Sequence, residues 1–381
     1  MARGNGSNVD WIDYPGVNRA PYVQDWNVAI QRQVGNNISL EMAYVGSKGT
    51  RLGSRLTTPN QVDPKWLSLG AELNQPISCL TGGSCPKAVA AGVQNPYPGF
   101  SASVAQALRP YPQYNSVYND FEDIGLSTYH ALQVKFEKRF SQDFNFLVAY
   151  TLSKAIDNSG SQLAAFFSAG AQDQFNRRAE KSISDNYIPQ NLVFNYTYEL
   201  PFGPGKRFGK HGGAVGKVIG GWEFTAIHEY QSGGPVLSGF GGNLQVNDTL
   251  PIFNQILRPN LVLGQKKLGT WSGKFDPAKD TYLNPNAFSV PAPYTFGNAA
   301  RNYSDMRGFA YLNEDFSIIK RTYIDEVRNL EFRMDLFNPF NRTVFQTSSI
   351  NNNLSNLASY GKVGAQGNLP REIQFALRLH F

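Results

Sequence analysis

The chain has 381 residues, 17% of them charged, a formal net charge of +6, and 36 Gly, 22 Pro, 26 Phe and 19 Tyr beside only 2 Cys, 4 Met and 4 His. This mixture favours turns and strands, and no apolar run approaches the ~18 residues of a membrane helix, which excludes a helical membrane protein but not a barrel, where only every second residue faces lipid. The cations are scattered, the densest groups being Lys135, Lys138 and Arg139, then Lys206, Arg207 and Lys210, so they form no nucleic-acid footprint and no nucleic-acid partner is expected.

Period-2 alternation recurs in nine segments, each about the length of a tilted membrane strand. In the first, Trp26, Val28, Ile30 and Val34 alternate with Asn27, Ala29, Gln31 and Gln33; Gly35 and Asn36 turn the chain into the second, Ile38, Leu40, Met42 and Tyr44. The third carries Leu132, Val134, Phe136 and Phe140 and the fourth Phe144, Phe146, Val148, Tyr150 and Leu152, joined by residues 141–143. The fifth shows Leu192, Phe194, Tyr196, Tyr198 and Leu200; a Gly-rich stretch over 201–216 leads to the sixth, Trp222, Phe224, Ala226 and Tyr230. The seventh, around Phe316 and Ile318, is the weakest. The eighth has Leu330, Phe332, Met334 and Leu336, and the ninth Ile373, Phe375, Leu377, Leu379 and Phe381.

A soluble sandwich also alternates. Two regularities favour a membrane barrel instead. Connections alternate between short ones and long ones over about 47–126, 155–187, 232–312 and 338–370, as in outer-membrane barrels with short periplasmic turns and long outer loops. The cations on the apolar faces, Arg32, Lys138 and Lys320, each lie near a short turn, where they can snorkel to the interface. The fold expected is therefore all-β: an antiparallel up-and-down transmembrane β-barrel spanning 22–381, about nine C-terminal strands of a larger barrel, with 1–21 as a lead-in or remnant of an extracellular loop.

Catalytic signatures are lacking. His130, His211, His228 and His380 are isolated from one another, no GxSxG or HExxH occurs, and Pro204 to Arg207 lacks phosphate-loop spacing. Asp120, Glu122 and Asp123 lack a calcium-loop pattern and read as a solvated acidic patch. The expectation is no enzyme, no metal and no cofactor.

Several strings resemble one family, the Oar-like TonB-dependent receptors: PYVQDWNVAIQRQVGNNISLEMAYVGSKGTRL, YHALQVKFEKRFSQDFNFLVAYTLSKAID, NRRAEKSISD running into IPQNLVFNYTYELPFGPGKRF, GGWEFTAIHEYQSGGP, FRMDLFNPFNR and REIQFALRLHF, together covering most of 20–381. The resemblance implies an outer-membrane barrel of about twenty-two strands in a Gram-negative bacterium, importing a solute with energy passed through the TonB protein. Neither plug, TonB-contacting segment, regulatory domain nor signal peptide is recognised in the sequence, so this reading expects a fragment that contacts the TonB system only through a missing N-terminal part and does not transport alone. Its partners would be outer-membrane lipid, the barrel-insertion machinery and an unknown solute.

Within that compartment Cys79 and Cys85, in SCLTGGSC, are expected to form a small loop disulfide; their spacing suits no zinc or redox site. Phe375, Leu377, Leu379 and Phe381 resemble the terminal signal read by the insertion machinery. No loop motif identifies the solute, and Tyr111, Tyr114, Tyr118, Phe166, Phe167 and Trp271 are expected to pack on other loops rather than hold ligand. The alternative is a secreted all-β binding module, an adhesin or carbohydrate-binding domain.

Overall fold

The computed structural model describes residues 7–12, 19–54, 56–120, 122–141, 143–159, 171–209, 212–236, 257–354 and 356–381. His211, Lys210, Phe166, Phe167 and most of 160–173 and 239–260 lie outside them.

Strands follow in chain order as β1 (Ser7–Ile12), β2 (Tyr22–Val34), β3 (Ile38–Ser54), β4 (Tyr114–Asp120), β5 (Glu122–Ser141), β6 (Phe144–Asp157), β7 (Ser182–Ile183), β8 (Gln190–Glu199), β9 (Trp222–Gln231), β10 (Asn260–Leu261), β11 (Phe288–Ser289), β12 (Tyr311–Tyr323), β13 (Asn329–Phe337) and β14 (Glu372–His380). The main sheet runs β2-β3-β5-β6-β8-β9-β12-β13-β14, an antiparallel meander of the nine alternating segments, with β7 added beside β6. β2 and β14 end it, and among the described residues they do not pair with each other. β4, in the long loop between β3 and β5, pairs in parallel with β1 from the start of the chain, a contact that alternation could not signal.

Short connections form where the backbone can reverse tightly. Gly35 turns β2 into β3 at φ 61°, and Asp143 turns β5 into β6 at φ 64°, a region that Gly and, less readily, Asp tolerate. The β12–β13 turn is held by Asp325, whose carboxylate accepts the backbone N–H of Val327 (3.1 Å) and Arg328 (2.7 Å).

Register puts the apolar residues of all nine strands on one face. Val28 stands opposite Tyr44, Tyr44 opposite Leu132, Leu132 opposite Leu152, Val148 opposite Phe194, Phe224 opposite Ile318, Ile318 opposite Met334 and Met334 opposite Phe375. The opposite face carries charges joined across strands. Arg321 donates to Glu223 (2.7 Å) on β9 and Glu331 (3.0 Å) on β13, and within β13 Arg333 donates to Asp335 (2.8 Å). On the apolar face Lys138 Nζ reaches the carbonyls of Ser141 and Phe144, both at 2.7 Å. Lys320 Nζ likewise reaches the carbonyls of Lys217 (2.6 Å) and Gly220, at the end of a short helix over Gly213–Ile219 in the β8–β9 turn. Both side chains lie along apolar surface and deliver the charge to backbone at the turn end, the snorkelling geometry.

The long connections gather at the other end and share a core of their own. Val62, Leu69, Leu73, Val104, Tyr282, Leu283, Met306 and Tyr360 are buried there together, and Trp271 stacks on Tyr282 with centroids 5.4 Å apart. Cys79 and Cys85 belong to this core and are joined by a disulfide, with Cα atoms 5.4 Å apart. Arg258 and Glu180 form an ion pair with both side chains buried; Gln172 ties it down, accepting Arg258 N–H at 2.6 Å and donating to Gly297 O at 2.9 Å.

Candidate functional site

A crevice of about 440 Å³ opens on the polar face where the sheet meets the long loops. Its wall is made by side chains of one parity, Tyr129 and Gln133 from β5, Thr151 and Ser153 from β6, Asn191 from β8 and Gln231 from β9, and its roof by Ser184, Asn186, Tyr187 and Ile188. The pairs Gln133–Thr151 and Asn191–Gln231 stand directly opposite in the ladders. Their amides and hydroxyls are neutral donors and acceptors, and the buried Asn191 Oδ1 has no hydrogen-bond partner among the described residues. Such a surface can recognise an uncharged polar group through hydrogen bonds, with Tyr129 and Tyr187 offering flat apolar area.

The roof is fixed from both sides. Tyr187 donates its hydroxyl to Ser153 O at 2.5 Å, and Ser153 Oγ donates to Ile188 O at 2.8 Å. Arg307 lies over the Tyr187 ring, 4.6 Å from its centroid, and donates to the carbonyls of Tyr187 and Gly233, both at 3.2 Å. Burial pushes the Tyr187 phenol above its ordinary value and the Arg307 guanidinium below its own. Arg301 bridges Asp157 and Asp185, and Asn302 donates to Asp185 Oδ1 at 2.5 Å and to Ile183 O at 3.1 Å. The sequence strings contained Ser184 and Ile188 of the roof, in SISD and IPQN, but nothing marked Arg301, Asn302 and Arg307 as its clamps, because they arrive from a loop more than a hundred residues later.

A second crevice of about 430 Å³ lies at the short-turn end among Glu199, Lys206, Trp222, Lys320 and Arg321. Lys206 bridges Asp143 (2.5 Å) and Glu199 (2.7 Å) there, and these hydrogen-bonded carboxylates hold its ammonium above the usual lysine range.

Other residues singled out in the sequence are placed as follows. Phe375, Leu377 and Leu379 lie on the apolar face of edge strand β14 and are 52–69% exposed, with Phe381 just past the strand at 93%. His130 and His228 stand on the apolar face among aromatic rings: His228 stacks on Phe194 (5.6 Å) and Tyr196 (5.8 Å). Glu122 and Asp123 do not form a solvated patch. Glu122 is buried and accepts Thr57 N (2.7 Å) and Oγ1 (2.8 Å), while Asp123 pairs with Arg19 (2.8 Å), so strand-end packing consumes both. Among the described residues no three His, Cys, Asp or Glu side chains are grouped as a metal would require.

Residues 3–374 match the model of the outer membrane beta barrel domain. The chain belongs to that family. The apolar face of the barrel wall is thus its lipid face, the polar face its lumen face, and the protein resides in the outer membrane of a Gram-negative bacterium. A secreted binding module is not favoured.

No curated protein matches the barrel in sequence. Among solved structures it is similar to the outer membrane transporter YddB from Escherichia coli (8% identity, TM-score 0.45, 98% of this chain and 34% of that one). Also similar are the siderophore receptor PiuA from Acinetobacter baumannii (9%, 0.40, 94% and 28%) and P. aeruginosa FpvA bound to pyoverdine (10%, 0.37, 94% and 27%). The barrel therefore spans about a third or less of the length of these proteins.

Proposed function

We propose that this barrel serves an Oar-like TonB-dependent receptor in energy-coupled uptake of a solute, and that the crevice under the 184–188 roof is where the solute meets the wall. The observation that carries the reading is the position and chemistry of that crevice: it faces the lumen, sits at the loop end, and is lined by amides, hydroxyls and two tyrosines, with no charged side chain among the described residues. The ordered match of six family strings supports the receptor class. A neutral lining favours a glycan or a peptide backbone over a charged metal chelate, since each amide can exchange a water for a ligand hydrogen bond without stripping an ion of its hydration. The proposal assigns the wall a binding role and no catalytic one.

The test compares the soluble peptides and oligosaccharides that cells remove from their medium. Three strains are needed: wild type, a deletion of the whole gene, and Gln133→Ala/Asn191→Ala/Gln231→Ala in the native gene. One solute class should stay in the medium of both altered strains and of wild-type cells treated with a protonophore. Identical depletion in all of them would sink the receptor reading, while loss in the deletion alone would move the site away from the crevice.

The same proposal gives Phe381 and its lipid-facing neighbours a part in recognition by the insertion machinery. Phe381→Ala should lower the fraction of heat-modifiable, folded barrel in cells while leaving spontaneous folding into detergent unchanged; equal folded fractions in cells would remove that role.

A further inference from the structure

The strands run further toward the loop end than their apolar alternation does, and this brings together cations on the lipid face. Lys154 on β6 stands directly opposite His130 on β5, His130 opposite Gly46 on β3, and Lys48, opposite Thr128, is one diagonal step from His130. Directly opposed side chains start about 5 Å apart and diagonal ones about 7–8 Å apart, so both ammonium groups can close on one small anion beside the imidazole. Lys48, His130 and Lys154 are all exposed. Tyr44 holds the ring, its hydroxyl 2.7 Å from His130 Nδ1, and Trp26 leans on it with centroids 6.1 Å apart. Gly46 makes that possible, because a Cβ there would stand 2.3 Å from the Trp26 indole.

Among the described residues, charge on this patch is uncompensated. The carboxylates at the same strand ends, Asp25 and Asp157, have the opposite parity, and Asp157 is taken by Arg301. Among the described residues neither Lys48 nor Lys154 joins an ion pair. Height is equally informative. Ile38 pairs with Lys138, which marks the periplasmic interface. Lys48 lies ten residues further along β3, about 34 Å of strand and, at a tilt of about 40°, about 25 Å of height, the thickness of the apolar band of such barrels. Lys48 and its neighbours therefore stand at the level where acyl chains give way to headgroups on the outer side, above the lipid-facing Leu40, Met42 and Leu132.

We propose that Lys48, His130 and Lys154 form a binding site for the phosphate of a phosphorylated lipid headgroup in the outer leaflet, with Tyr44 and Trp26 packing against the lipid beneath it. The site needs only the outer-membrane placement and is independent of the transport proposal.

The test uses the whole protein folded into phosphatidylcholine nanodiscs containing a minor fraction of bisphosphorylated lipid A or of its dephosphorylated form, with lipid retained after detergent exchange counted by mass spectrometry. Wild type should retain the phosphorylated form preferentially. Lys48→Gln/Lys154→Gln should weaken that retention roughly thirtyfold, and Lys135→Gln, on the lumen face of β5, should leave it unchanged. Equal retention of the two lipids by wild type, or undiminished retention by the double variant, overturns the proposal. If the double variant does not insert, salt decides on the wild type: retention must fall as NaCl rises from 50 mM to 0.5 M, and salt-independent retention rejects the site.

Discussion

Val134→Arg and Gln133→Arg place the same new cation on neighbouring residues of β5 that face opposite ways. Val134 lies among Met42 and Tyr150 on the lipid face, and Gln133 lines the lumen crevice. Lys138, four residues further on, delivers its charge to turn carbonyls at the periplasmic interface, so Val134 sits about 13 Å along the strand and about 10 Å above that interface, close to the middle of a band about 25 Å thick. A cation there costs about 2–4 kcal/mol, whereas one in a watery lumen costs about 0.5 kcal/mol or less. The two variants should therefore differ by a factor of about 10 or more in their folded-to-unfolded ratio. Reversible urea unfolding from phosphatidylcholine vesicles, followed by tryptophan fluorescence and heat-modifiable migration, measures it. Equal losses, or a larger loss for Gln133→Arg, would refute the assignment of the two faces.

Cys79→Ser/Cys85→Ser should loosen only the loop core: closing so short a loop is worth about 2 kcal/mol, so limited proteolysis within 79–85 should quicken while insertion of the barrel is unchanged. Burial pushes the phenols of Tyr282 and Tyr360 well above their ordinary range. Their folded values lie above their unfolded ones, so the stability they contribute is complete below about pH 10 and is lost as pH rises toward the folded values; absorbance at 295 nm should show a late, cooperative tyrosine step with loosening of the loops, and its absence would contradict this burial. Arg342→Ala strips the partner from the buried Glu314 carboxylate, to which Arg342 Nε donates at 2.8 Å, and should cost about 2–4 kcal/mol. Replacing both residues by Leu should recover most of that loss in the same urea assay.

Parity made the wall legible. A strand that buries one face in lipid cannot slip by one residue without turning its whole apolar set inward, so the alternation of Val28, Tyr44, Leu132, Leu152 and their fellows fixed strand order and register together, and the ladders pair them as alternation requires. Where alternation stops, that legibility stops. The ends of β3 and β6 carry Lys48 and Lys154 past the apolar band, and the sequence alone did not count them among lipid-face cations. The loop core of Leu73, Tyr282, Met306 and Tyr360 has no period at all. Its clamps, Arg258 on Glu180 and Arg301 on Asp157, join segments 78 and 144 residues apart that no local pattern connects.

The weakest of the nine segments shows how a local defect in the pattern can be answered from elsewhere in the chain. Glu314 has lipid-face parity in β12 and breaks the alternation before Phe316, yet its side chain is only 1% exposed. The answer is the FNPFNR string that follows β13. Asn338 and Asn341 adopt positive φ, 46° and 50°, which Asn tolerates better than most residues. The Asn338 side chain accepts Arg342 N–H at 2.8 Å and donates to Arg342 O and Leu369 O, both at 3.0 Å. That tight turn lays Phe340 edge-on to Phe316, with centroids 5.8 Å apart, and brings Arg342 onto Glu314, which also accepts the Tyr230 hydroxyl at 2.9 Å. The paired carboxylate draws the Arg342 guanidinium above its usual value. A bare carboxylate facing acyl chains would be neutralised or expelled; one covered by an arginine, a phenol and a phenylalanine is neither. The motif therefore belongs to the wall as much as to the loop, because it buries an otherwise forbidden residue beneath the lipid-facing side of the wall.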